Sequence, residues 1–416
     1  MNSKLKKLPP LLLDWFSANA RDLPWRKTRD PYAIWVSEIM LQQTQVKTVM
    51  PYWERWMREL PTIESVAAAS PDKIHKLWEG LGYYTRARNL QKAAQEILRR
   101  AEFHDAQTKR NKIRVSRSST LRFPETFEEV LALPGIGRYT AGAICSIAFN
   151  QATPILDGNV IRVLTRIFGI AENPKEKKTN QLLWQIAEQL VSHAKTQSSQ
   201  RNSCSHLNQS LMELGALICT PRNPQCNLCP VKKHCVAYKE NRIEELPNLG
   251  KREAATARHF VAFVVERNGK FLVRQRPEGI VNAHLWEFPN VEIHLNGSSP
   301  ARRDKFAHFN QSRFTSAATI KNSQIEAAAK EFGFEFQNAK PLRTVKHSIT
   351  RYRITLEAFH VELNGNRKTV EGIWRTKPEL QQLAFSSAHK KILIHLSSAG
   401  ISGAKLKTTV RTPALP

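Results

Sequence analysis

The chain has 416 residues, enough for two or three domains at roughly 100–200 residues each. Hydrophobic residues make up 41% of it, which excludes a wholly disordered protein. Its 63 Lys and Arg face 36 Asp and Glu, a formal net charge of +27; this favours a polyanionic partner, nucleic acid before anionic membrane, over small cationic substrates.

At the N-terminus Lys4, Lys6 and Lys7 precede Leu11-Leu12-Leu13, an apolar stretch too short for a secretory signal and interrupted by Asp14. Residues 1–10 read as a basic arm. No run approaches the ~18 apolar residues of a membrane span, and six scattered and clustered cysteines do not make a disulfide scaffold. A cytoplasmic protein without membrane contact is expected.

From 11 to 240 the apolar periodicity predicts helices at 34–40, 63–69, 74–81, 87–98, 127–133, 141–149, 160–168, 182–191 and 207–217, bounded by Pro, Gly or capping residues. The tryptophans concentrated at the start of this region read as core and interhelix packing. Residues 99–122, rich in Lys and Arg, and 192–206, rich in Ser, Gln and Asn, read as surface loops. The first is either a polyanion contact or a solvated loop. Residues 241–257 read as a linker. The pattern then turns to β: 260–265 and 271–273 around Asn268-Gly269 predict a hairpin, with a helix at 324–332 and a strand at 351–359. The expected second domain spans 258–396, and 397–416, with Lys405, Lys407 and Arg411, reads as a basic tail.

Cys219, Cys226, Cys229 and Cys235 are spaced C-x6-C-x2-C-x5-C. Four thiolates so close suit a tetrahedral zinc or a [4Fe–4S] cluster; the spacing differs from zinc-finger pairs and favours the cluster, whose expected role is structural. Arg222, Lys232 and Lys233 stand where they meet phosphates. Cys145, in an apolar helix, reads as buried and inert, and Cys204 lies outside the set.

Leu133-Pro134-Gly135-Ile136-Gly137-Arg138 joins two predicted helices. Gly135 and Gly137 permit a tight turn whose N–H groups, beside a helix N-terminus, cradle a phosphate oxygen, as in a helix–hairpin–helix element. Beyond it Asp157 precedes a helix, as an N-cap or as a carboxylate near the DNA. Glu38, flanked by apolar residues, either faces solvent or is partly buried with a raised pKa suited to a general acid. Gln42, Gln43 and Gln45 follow as uncharged groups able to read base edges or fill a gap in a base stack.

Together with Leu23-Pro24-Trp25-Arg26, residues 37–46, 77–90 and 123–126, these motifs resemble the adenine DNA glycosylase family of the helix–hairpin–helix, endonuclease III-like superfamily. The resemblance is close over about 10–240 and looser beyond. It implies a mainly α glycosylase domain over 11–240, carrying a [4Fe–4S] cluster, and an α+β Nudix-like domain that recognises 8-oxoguanine. The implied substrate is duplex DNA with adenine opposite 8-oxoguanine or guanine, and the implied protein a nucleoid-associated monomer. Glu38 would protonate adenine, Asp157 would stabilise the sugar cation, and Tyr139 and Asn159 would line the pocket. Gln43 and Tyr83 match residues inserted around 8-oxoguanine. Arg26, Gln42, Thr44, Leu81 and Arg86, with Gly135 and Gly137, complete the implied DNA contacts. Endonuclease III-like relatives carry a Schiff-base lysine where this chain has Tyr139, so base excision without strand cleavage is implied. An endonuclease III-like pyrimidine glycosylase/lyase and a non-catalytic DNA-binding relative are the alternatives. In the second domain 327–333 holds one acid, too few for Nudix hydrolysis. Ile349-Thr350-Arg351 replaces the family's Phe-Ser-His loop, leaving Thr350 and Arg351 as candidate lesion contacts, and 290–323, with Arg302, Arg303 and Lys305, is a divergent insertion.

Overall fold

A computed structural model describes residues 2–110, 122–197, 202–251, 253–293, 322–332, 338–349, 351–363 and 371–398. The chain divides into two compact units, one of Met1–Leu77 and Thr85–Arg252, the other of Trp78–Tyr84 and Glu253–Pro416.

The first unit is helical. Its order is α1 (Asn2–Asn19), α2 (Pro31–Leu41), α3 (Val46–Glu59), α4 (Ile63–Ala68), α5 (Pro71–Trp78), α6 (Thr85–Arg110), α7 (Phe127–Leu131), α8 (Arg138–Phe149), α9 (Gly158–Phe168), α10 (Lys177–Gln197), α11 (Ser203–Leu217) and α12 (Val236–Lys239). Local sequence sets several boundaries. Asp30 accepts from the Tyr32 N–H and Pro31 opens α2. Thr126 and Glu129 form a capping box on α7, and left-handed Asn150 and Gly169 close α8 and α9.

Three readings of this unit are corrected. Residues 2–10 are not an arm: they belong to α1, and Leu5, Leu8, Leu12 and Leu13 recur at helical spacing within the core that holds Val163, Leu164, Leu190 and Leu211. Pro9 and Pro10 lie inside this helix, where a missing N–H and ring clash act against it; buried leucine overrides them. The basic stretch from 99 is not a loop as far as Arg110, because α6 continues through it with Glu96 pairing Arg99 and Arg100 one turn on. Likewise 192–197 completes α10 and α11 resumes at Ser203; 111–121 and 198–201 lie outside the described residues. Trp35 and Trp56 are fully buried, as packing residues should be.

The second unit is built on a seven-stranded sheet with the path β3-β2-β1-β6-β5, β4 pairing with β1 and β7 with β2. The strands are β1 (Thr256–Arg267), β2 (Lys270–Gln275), β3 (Trp286–Glu287), β4 (Asn290–Ile293), β5 (Ala339–Ile349), β6 (Tyr352–Glu362) and β7 (Ile373–Thr376). Asn268 and Gly269, both at positive φ, turn β1 into β2. β1 and β6 run parallel in register from Thr256↔Tyr352 to Glu266↔Glu362. Helix α13 (Asn322–Lys330) packs on one face, and α14 (Lys377–Gln382) and α15 (Ser387–Ser398) on the other. In β1, Val261, Phe263 and Val265 face α13, whereas Ala262 and Val264 face the opposite core. A strand buried on both faces explains why its sequence is continuously apolar. Because β1 begins at Thr256, the linker ends at Ala255, two residues before its expected limit. Residues 294–321 and the tail from 399 lie outside the described residues.

Candidate active site

Helix α2 is buried almost throughout, from Tyr32 to Met40, and Glu38 is part of that buried surface at 4% exposure. The sequence left its orientation open; it points inward. A carboxyl withdrawn from water resists ionisation. Burial, reinforced by the charge of Asp157, pushes Glu38 up to about 7, against a hydrogen bond from Tyr139 and the charge of Arg26. The Tyr139 hydroxyl donates to Glu38 Oε2 at 2.9 Å and lies 3.2 Å from Met212 Sδ. Burial and the two carboxylates raise the phenol well above its ordinary value, so it remains a donor.

Asp157 does cap α9, accepting from the Val160 N–H at 2.7 Å through Oδ1. Its other oxygen accepts from Asn159 Nδ2 at 3.0 Å. Burial also raises this carboxyl, but the backbone and Asn159 donors oppose the shift. The two acids are thus differently equipped: Glu38 titrates near neutrality, whereas Asp157 has the donors that favour an anion. Arg162 fixes Asn159 by donating to its Oδ1 at 2.9 Å, and it also reaches Gly215 O at 2.8 Å and Cys219 O at 2.7 Å. Gly215 is required here, since a Cβ would lie 2.7 Å from that of Asn159.

Glu38, Tyr139, Asp157 and Asn159 line one cavity of about 530 Å³, with Trp25, Arg26, Gln42, Gln43, Thr44, Leu156, Gln209, Met212 and Glu213 also in its wall. That volume falls within the roughly 300–1,000 Å³ usual for ligand pockets. Arg26 is tied to Glu213 at 3.0 Å and to Gln209 at 3.0 Å, so its guanidinium is bound within the protein. Arg21 completes the group at 2.6 Å from Glu213 Oε2. Burial would raise the Glu213 carboxyl, but the two arginines outweigh it and hold the group at about 2. Sequence reasoning missed Glu213 and Arg21. The signal was present: Glu213, like Glu38, is an acid amid apolar helix residues.

The hairpin lies between α7 and α8. Gly135 has φ +78°, and a Cβ there would come within 2.5 Å of the Asn89 Cβ. Gly137 is extended instead, caps α8 and has open space around its Cβ position. Only the first glycine therefore meets a backbone demand, contrary to the expectation for both. Arg86 engages the carbonyls of Ile39, Met40 and Gln42. Leu81 and Tyr83 group with the second unit: Leu81 is buried, and Tyr83 is exposed with φ +49°. Arg351 is exposed at the turn between β5 and β6, 3.6 Å from Glu253. Thr350 lies outside the described residues.

The cofactor expectation is corrected. Cys219, Cys226, Cys229 and Cys235 line one small, otherwise mostly apolar pocket, yet among the described residues no group of three or more His, Cys, Asp or Glu could hold a metal ion. Neither the [4Fe–4S] cluster nor the zinc alternative is supported. Burial raises the thiols of Cys226, Cys229 and Cys235, that of Cys229 to about 12. Two arginines of α9 tie the start of the cysteine segment, Arg162 through Cys219 O and Arg166 through Thr220 O at 2.8 Å, and Arg166 also reaches Leu246 O at 2.8 Å. Cys145 is buried, with burial raising its thiol to about 12. Among the described residues no helix is long and apolar enough to cross a membrane.

A buried acid, a second carboxylate at a helix N-terminus and a glycine hairpin are the features that the resemblance to helix–hairpin–helix base-excision proteins implies. In agreement, residues 36–189 match the HhH-GPD superfamily of base excision DNA repair proteins, and 260–395 match the NUDIX domain. An adenine DNA glycosylase of Rattus norvegicus is 33% identical over 92% of this chain and 76% of its own length. One from Buchnera aphidicola (Schizaphis graminum) is 37% identical over 71% and 78%. An Arabidopsis thaliana homologue is 36% identical over 87% of this chain, which spans only 58% of that relative. The chain belongs to the adenine DNA glycosylase family, whose members are base-excision-repair hydrolases.

Proposed function

We propose that this protein hydrolyses the N-glycosidic bond of adenine mispaired with 8-oxoguanine, or with guanine, in duplex DNA. The observation carrying this reading is the placement in one cavity of Glu38, poised near neutrality, and Asp157, whose carboxyl accepts from the Val160 N–H and from Asn159. The flipped adenine enters the cavity. Glu38 gives its proton to N7, which makes the base a better leaving group. The glycosidic bond breaks toward an oxocarbenium-like sugar, whose charge Asp157 stabilises, and water adds at the anomeric carbon, giving up a proton that restores the acid form of Glu38. Tyr139 and Asn159 hold the two carboxyls in place. Tyr139 has no amine for a Schiff base, so the strand stays intact.

The glycosylase domain of this reading covers 11–240 together with α1, and the NUDIX-like domain up to 396 reads the damaged base. Gly135 and its neighbours hold a phosphate, and Gln42, Gln43, Thr44, Tyr83 and Arg351 approach the duplex. The protein works as a monomer on nucleoid DNA. Duplexes with adenine opposite 8-oxoguanine, adenine opposite guanine and thymine glycol opposite adenine test it. Adenine release from the first two alone, with breakage only after alkali, is expected. Release of thymine glycol, or breakage without alkali, would point to a pyrimidine glycosylase/lyase.

A further inference from the structure

The end of α2 is held by a residue of another helix. A helix leaves its last carbonyls without intrahelical donors. Here Ile39 O at 2.9 Å, Met40 O at 2.9 Å and Gln42 O at 2.6 Å all share Arg86 Nη1. Arg86 Nη2 adds Thr44 Oγ1 at 3.3 Å, and the Thr44 N–H returns to Leu41 O at 3.2 Å. Gln42 Nε2 donates to Thr140 Oγ1, at the start of α8, at 3.3 Å. Between these two anchored neighbours Gln43 is exposed and has φ +54°, a left-handed conformation that non-glycine residues rarely adopt. Such a conformation persists when its surroundings over-determine it.

The position of Arg86 supports the same view. It occupies the first turn of α6, where there is no acidic residue and the helix dipole disfavours a cation. The carbonyl end of α2 favours one. A planar fork carries donors on two nitrogens in fixed directions, so one can meet the carbonyls while the other meets Thr44, whereas a lysine ammonium has all its donors on a single nitrogen. Arg86 stands within a segment whose resemblance implied a DNA contact, but its Nη atoms are directed at protein carbonyls and a hydroxyl.

We propose that Arg86 is a positioning residue that makes no phosphate contact and clamps the turn Gln42-Gln43-Thr44, so that Gln43 is held outward for insertion into the duplex beside the mispair. This rests on the proposed role of Gln43 in the duplex.

The test compares wild type, Arg86→Met, Arg86→Lys, Gln43→Ala and Arg86→Met/Gln43→Ala on a duplex carrying 2-aminopurine next to an adenine·8-oxoguanine mispair. Unstacking raises the fluorescence of the reporter. Wild type is expected to raise it, Arg86→Met to lose as much of the rise as Gln43→Ala, and the double variant to lose no more. The salt slope of binding should be unchanged in Arg86→Met, whereas loss of a phosphate contact lowers it by about one. Arg86→Lys keeps the charge without the fork and should behave as Arg86→Met; it carries the comparison if Arg86→Met does not fold. A slope lowered by about one, full recovery in Arg86→Lys, or additive losses in the double variant would overturn the proposal. Excision by wild type without a fluorescence rise would do the same. Fluorescence and salt slope read binding alone, so absence of excision with these readouts as expected defeats only the proposed activity.

Discussion

The Tyr139 hydroxyl donates to Glu38 Oε2 at 2.9 Å, and this bond favours the charged carboxylate while burial favours the neutral acid. The balance leaves Glu38 at about 7, where it holds a proton for part of the physiological range and is still able to release it. Tyr139→Phe removes the opposing donor. Its excision rate should therefore fall with rising pH at a higher midpoint than that of wild type. A single-turnover pH profile checks this; a midpoint moved downward would mean that the phenol does not stabilise the carboxylate.

The same shift appears in stability. Glu38 has its pKa raised from 4.5 to about 7 on folding. Between those values the folded state keeps a proton that the unfolded chain has released, so this group's contribution weakens as pH rises across the window and is least favourable above it. Glu38→Gln cannot ionise. Relative to wild type it should gain stability on going from pH 5 to pH 8, by roughly 1–3 kcal/mol. Denaturant melts at the two pH values measure it, and an equal or smaller relative stability at pH 8 contradicts the burial argument.

Asp157 has two roles that substitution separates. Asparagine caps helices about as well as aspartate but carries no charge. Asp157→Asn keeps an acceptor for the Val160 N–H but sets an amide against Asn159 Nδ2, so it should lose less stability than removal of the cap while losing excision by at least ~10²-fold. Asp157→Ala should lose excision too and, having lost the bond from the Val160 N–H, cost a further ~0.5–2 kcal/mol of stability. Excision retained by Asp157→Asn would remove the charge from the mechanism.

The hairpin gives an asymmetric expectation. Gly135→Ala meets both φ +78° and a contact of 2.5 Å with Asn89, whereas Gly137→Ala meets nothing. The first should weaken duplex binding and lower the thermal midpoint; the second should leave the fold intact. Equal stability of the two variants would show that the turn is not held as described.

Much of this site was legible because its signals are local. An aspartate before an apolar helix predicts a cap, and Asp157 is one. Glu38 was visible as a polar exception in an apolar run, but its burial depended on α8 packing against α2, which no local pattern states. The same holds for α1, where two prolines argue against a helix and distant leucine contacts decide for it. Arg86 shows a related limit: the resemblance implies a DNA contact there, and only the fold shows three carbonyls at its Nη1. The cysteine spacing gave ligand identities without distances, and the close ligand group it implied is not formed among the described residues.

The central claim, that Glu38 is the acid that drives departure of adenine, is tested most directly by single-turnover excision from a duplex with adenine opposite 8-oxoguanine, comparing wild type with Glu38→Gln. The account predicts that Glu38→Gln binds the duplex within a few-fold of wild type, yet excises adenine at least ~10²-fold more slowly at pH 7. An excision rate close to that of wild type would contradict it.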